Sequence, residues 1–198
     1  MYDSSGRDVF KILLKDFSVY LRATVKNYTG LDTRNTINVA YSLLFYGSTV
    51  TGRNFLKGKY DLDKINLILN DVSATRNRLI ALYPNAKDHR LSGNQGRLSN
   101  YYRNLYATYT FIDESQLPKN DKRRLLKTIR TKMNNHEQAL LALNICSDLG
   151  SKWVNDNLLA KYHPIKNIPE AFSNLPNNNK IHDLLPEVSY EFLERKNF

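Results

Sequence analysis

The chain has 198 residues, with 29 lysines and arginines against 19 aspartates and glutamates, a formal charge of +10 and one cysteine. A chain of this length can bury roughly 70% of its unfolded surface, and 41% hydrophobic with 24% charged residues excludes global disorder. The lone Cys146, in the apolar run ALLALNIC, excludes an internal disulfide framework and fits a reducing compartment. With no 18-residue apolar run and no signal-peptide h-region, a cytoplasmic protein that neither spans nor binds a membrane is expected.

In chain order, the first pattern is GRDVFKILLKDFSVYLRATVKNY. Val9, Phe10, Leu13, Leu14, Phe17, Tyr20, Leu21 and Val25 recur at steps of three and four, one apolar helical face with Ser4 or Ser5 as cap and Gly30 as stop. TRNTINVAYSLLFYG predicts a second helix with Ile37, Ala40, Tyr41, Leu44 and Phe45 in phase, ended by Gly47. STVTGRNFLKGKYD has no clear period and reads as a connection that gathers Arg53, Lys57 and Lys59. LDKINLILNDVSATRNRLIALYP resumes helical spacing until Pro84, and NAKDHRLSGNQG is a polar loop.

SNYYRNLYATYTFID begins the fourth main helix, on which Leu98, Tyr102, Leu105, Tyr109 and Ile112 share a stripe. The stripe predicts rings packed in a core rather than a platform for stacking nucleobases, with Asn100, Arg103 and Asn104 off to one side. DKRRLLKTIRTKM follows, its Leu125, Leu126, Ile129 and Met133 pointing one way. Asn134 or Asn135 caps HEQALLALNICSDLG, which Gly150 closes. KWVNDNLLAKY, HPIKNIPEAF and HDLLPEVSYEFLERKNF supply shorter pieces, the last broken at Pro186. No strand alternation competes. The expected fold is all-α, a compact single-domain bundle of six to eight helices, with residues 1–172 as its body and 173–198 as a C-terminal helical extension packed on it.

The densest positive patch is KNDKRRLLKTIRTK, where Lys119, Lys122, Arg123, Arg124, Lys127, Arg130 and Lys132 accompany one acid, Asp121. Arg123, Lys127 and Arg130 fall at helical spacing, and like charges there repel by some tenths of a kcal/mol per pair, a cost that bound phosphates relieve. The patch predicts binding of nucleic acid, RNA ahead of DNA, or of an acidic protein. Arg130-TKMNN-His136 has the Arg-x(4–6)-His spacing of helical ribonuclease toxins, but 13 arginines and 4 histidines supply roughly one such pair by chance. It also straddles the helix break at Asn134–Asn135. His89, His136, His163 and His182 are far apart in sequence, so no metal site and no cofactor are expected. The carboxylates form no catalytic pair. An enzyme is not expected; if one exists it is a ribonuclease, with Arg103, Arg130 and His136 as its candidates.

GRDVFKILLKDF, then Asn100-Tyr-Tyr-Arg-Asn-Leu-Tyr106, Arg130-Thr-Lys-Met-Asn134, Glu137 to Asn144 and Ile165-Lys-Asn-Ile-Pro169 occur in order. This succession, over about residues 5–172, resembles the phage abortive infection family, the AbiC-like proteins. The resemblance implies a bacterial or phage-borne antiviral role: sensing infection, then halting host growth or phage replication. Asn100 stands where the family has histidine, and the chain lacks the N-terminal membrane helices of many members. Neither histidine chemistry on that helix nor membrane damage is therefore expected. If their helices converge, Asn100, Arg103, Asn104, Asn144, Lys166 and Asn167 form a polar cluster in the core, with Arg103 holding carbonyls or a carboxylate such as Glu137. The combined expectation is a phage-defence protein binding through its basic helical face, monomeric or homodimeric. The alternatives are a ribonuclease and a phage-encoded regulator of a defence protein.

Overall fold

The computed structural model describes residues 6–82, 93–166, 168, 172, 175, 180–186, 188 and 190. Among them the chain forms α1 (Gly6–Asn27), α2 (Thr33–Tyr46), α3 (Val50–Leu56), α4 (Leu62–Leu82), α5 (Gln95–Glu114), α6 (Lys119–Lys132), α7 (Asn135–Cys146), a 3-10 turn (Asp148–Gly150), α8 (Lys152–Asn155), α9 (Leu158–Tyr162) and α10 (Ile181–Leu184). No strand occurs among the described residues, and an isolated bridge joins Lys57 to Tyr60. The all-α expectation holds. The ten helices among the described residues exceed the expected six to eight because the expected connection forms α3, seven residues too short for a periodic signal, and the single piece KWVNDNLLAKY divides into α8 and α9. The chain divides into two compact units, residues 15–98 and residues 1–14 with 99–198. The boundary expected after 172 falls where most neighbouring residues lie outside the described ones.

In the 15–98 unit, α2 is enclosed on every side: Thr33, Thr36 and each residue from Ile37 to Phe45 are buried. Sequence spacing suggested a single apolar face. Total enclosure is possible because only Asn38 and Ser42 are polar within that run. Asn38 Nδ2 donates to the Tyr60 hydroxyl at 2.8 Å, and that hydroxyl donates to Asn35 Oδ1 at 2.9 Å. Asn35 Nδ2 in turn donates to Asp32, whose other oxygen caps α2 by accepting from the Asn35 amide at 2.7 Å. A buried amide thus reaches the surface through a chain of bonds.

At the other end of α2, the Asn94 amide donates to the Phe45 carbonyl at 2.8 Å, and Asn94 Nδ2 to the Leu44 carbonyl at 3.0 Å. Gly93 holds φ +79°, and a Cβ there would lie 2.3 Å from the Tyr46 carbonyl carbon, so the last residues of the polar loop can close α2 only with glycine. The segment read as a bare connection contains α3, capped by Thr49, whose hydroxyl accepts from the Gly52 amide at 3.2 Å.

In the other unit the enclosed helix is α7, where every residue from Gln138 to Cys146 is buried. Its start is a reciprocal box. Asn134 Oδ1 accepts from the His136 and Glu137 amides at 2.9 Å, and Glu137 Oε2 accepts from the Asn134 amide at 2.5 Å. Its end folds back so closely that a Cβ on Gly150 would lie 2.3 Å from the Asn144 carbonyl oxygen.

Gly150→Ala is expected to cost about 1–3 kcal/mol by forcing that backbone apart. Gly96→Ala, in α5 with nothing within 4 Å of its Cβ position, is expected to be neutral or to gain up to about 1 kcal/mol. Thermal melts of the two variants check the contrast; equal melting temperatures would contradict it.

Candidate functional site

The tyrosines of α5 are spent on the core. Tyr102 and Tyr109 are buried, and Tyr101 and Tyr106 half-buried. Tyr106 and Tyr109 meet Trp153 edge-on at 5.6 and 5.1 Å, and Tyr109 lies 6.5 Å from Tyr162. Tyr109 donates to the Leu126 carbonyl at 3.4 Å inside the core, whereas Tyr162 donates to Asp113 Oδ1 at 2.5 Å and Tyr106 to Asp156 nearer the surface. Burial pushes the Tyr101 and Tyr109 hydroxyls well above their ordinary range. Burial, then the bond to Asp113, pushes Tyr162 up to about 12.

Asn100, Arg103 and Asn104 do not join a core cluster. They are exposed on the side of α5 opposite Tyr102 and Tyr109, whereas Asn144 is buried in α7. Helix phase makes the separation: a stripe that turns the rings inward turns positions 100, 103 and 104 outward. Lys166 is half-buried, and Asn167 lies outside the described residues. Glu137 caps α7 and is not the carboxylate that holds Arg103.

The buried polar group that ties this region together is Gln138, which sequence reasoning missed. Its Nε2 donates to the Met133 carbonyl at 3.2 Å, and its Oε1 accepts from the Lys166 amide at 2.8 Å. A lone glutamine opening an apolar run was the available signal. Trp153 was likewise passed over, as part of a short amphipathic piece.

On α6 only Leu126 is buried, and Leu125 is 44% exposed, so the apolar face is narrower than the expected Leu125–Leu126–Ile129–Met133 set. The seven cations separate into two kinds. Lys122 Nζ donates to the Asp113 carbonyl at 2.6 Å, and Arg130 Nη1 donates to the carbonyl of His163, the C-cap of α9, at 2.9 Å. Lys119, Arg123, Arg124, Lys127 and Lys132 are exposed, and none forms a salt bridge among the described residues. The expected Arg123–Lys127–Arg130 stripe therefore keeps two solvent members and gives its third to the fold.

The bonds from Tyr109 to Leu126 and from Lys122 to Asp113 step forward along α5 and backward along α6. The two helices thus run antiparallel.

Arg130 and His136 share no helix face, because α6 ends at Lys132 and α7 begins at Asn135. The His136 ring lies 5.2 Å from that of Phe172. Cys146 is buried and in no disulfide. Among the described residues no group of three or more His, Cys, Asp or Glu could hold a metal, and no helix is long and apolar enough to cross a membrane. In the 15–98 unit, Arg53 and Lys57 are exposed on and beside α3, and Lys59 Nζ lies 5.5 Å from the Phe55 ring centroid.

Residues 93–173 match a family described as "Putative phage abortive infection protein". The matched stretch opens at the Gly93–Asn94 closure of α2 and runs through α5, α6, α7, α8 and α9, with all the resemblance motifs except the α1 segment GRDVFKILLKDF. No curated protein and no solved structure matches the chain.

Asp113 offers a test of the packing behind α6. Its bond from Tyr162, and then the bond from Lys161 at 2.9 Å, hold its carboxyl below the ordinary range. A folded-state pKa below the unfolded value of about 3.9 adds stability above that pH and loses it as pH falls through the folded pKa. Asp113→Asn is therefore expected to melt lower at neutral pH and to lose less melting temperature than the parent between about pH 5 and pH 2. An unchanged acid-side slope would contradict the pairing.

Proposed function

From the match of residues 93–173 to the abortive infection family, we propose that this protein acts in phage defence by binding nucleic acid, RNA before DNA, through the solvent face of α6. One observation carries the reading: Lys119, Arg123, Arg124, Lys127 and Lys132 reach solvent without an acidic partner among the described residues. Arg123 and Lys127 stand one turn apart and repel, and neighbouring phosphates would turn that repulsion into attraction. The cations sit on a 14-residue helix braced at Lys122 and Arg130, so their spacing is held before a ligand arrives. Arg130 and His136, on separate helices and engaged separately, support binding over strand cleavage.

The triple variant R123E/R124E/K127E changes only exposed side chains, so it should fold. Its affinity for RNA is expected to fall at least about tenfold in a gel-shift titration, and its salt slope to shrink by about two, close to one contact's worth per lost phosphate. Wild-type affinity in the variant would overturn the reading. Cleaved RNA with the parent protein would favour the ribonuclease, and no RNA binding by the parent would favour a protein partner.

A further inference from the structure

Four of the aromatic side chains of α5 are engaged inward or along its flanks, and one is not. Phe111 is 76% exposed, the most exposed large apolar side chain among the described residues. It has no ring partner there, and no hydroxyl to tie it to the surface. The antiparallel register of α5 and α6 sets Asp113 level with Lys122 and Tyr109 level with Leu126. Midway between those pairs, Phe111 stands level with Arg124. Leu117 and Leu125 are 42% and 44% exposed, and Arg123 and Lys127 are exposed on α6.

We infer that Phe111 is a stacking platform for an unpaired nucleobase, and that the α5–α6 hairpin therefore selects single-stranded nucleic acid. The inference rests on the α6 binding reading and adds a specificity to it. Cations alone engage the phosphates of duplex and single strand alike, whereas a free ring gains only from a base whose face is open. A duplex keeps its base faces stacked inside. An acidic protein surface matches the cations but leaves the ring without a regular partner.

The test is equilibrium binding of the full chain to a single-stranded RNA of about 20 nucleotides, to the same sequence as a duplex, and to heparin, a polyanion without bases. Phe111→Ala is expected to weaken single-strand binding about tenfold, the stacking of one base, and to leave duplex and heparin binding unchanged. Its salt slope should match the parent's, because no charge is removed, and Phe111→Tyr should restore affinity. Parent-like affinity of Phe111→Ala for the single strand overturns the inference. So does an equal loss on duplex, which would make the ring a support of the fold. If R123E/R124E/K127E loses binding while Phe111→Ala does not, this inference fails and the α6 reading stands. A parent protein that binds no nucleic acid, or only an acidic protein, defeats both.

Discussion

Tyr109 fixes the phase of α5. Its side chain is wholly buried, set against Trp153 and Tyr162 with its hydroxyl on the Leu126 carbonyl. In a helix that advances about 100° per residue, one inward position determines every other. Tyr102 follows it inward, Tyr106 and Asp113 turn to the flank that meets Asp156, Lys161 and Tyr162, and Arg103 and Phe111 are left in water. The side chains with binding chemistry are exposed because the ones with packing value are not.

The same division operates within α6. A basic helix is open to many uses, but two of its seven cations hold main-chain carbonyls and five are left for solvent. A carbonyl takes up a guanidinium's hydrogen bond without neutralising its charge, so the structural cations still add to the field around the helix. A carboxylate in the same place would have cancelled it. Asp113, a nearby acid, is instead occupied by Lys161 and Tyr162.

The long helices were legible because their apolar residues recur at three- and four-residue steps, and the break between Arg130 and His136 because Asn134 is a strong cap. The short α3 was not, since seven residues hold too few periods. The expectation for α2 erred by choosing one face of the run Ile37–Phe45, in which only Asn38 and Ser42 are polar, where spacing cannot say how many sides have neighbours. At the candidate site, sequence identified the cations and the tyrosine stripe but placed Arg103 in a core cluster on the condition that its helices converge. A polar residue beside a stripe follows it or opposes it, and here phase alone decides. Gln138 and Trp153 passed unnoticed because their importance comes from partners 28 residues away in one case and more than 40 in the other.

Photochemical crosslinking of the bound protein to single-stranded RNA, with the attached residues read by mass spectrometry, tests the account most directly. The account predicts adducts on the solvent side of α6 and at Phe111, and none at the buried rings Tyr102 and Tyr109. Adducts confined to other helices, with α6 unmodified, would contradict it.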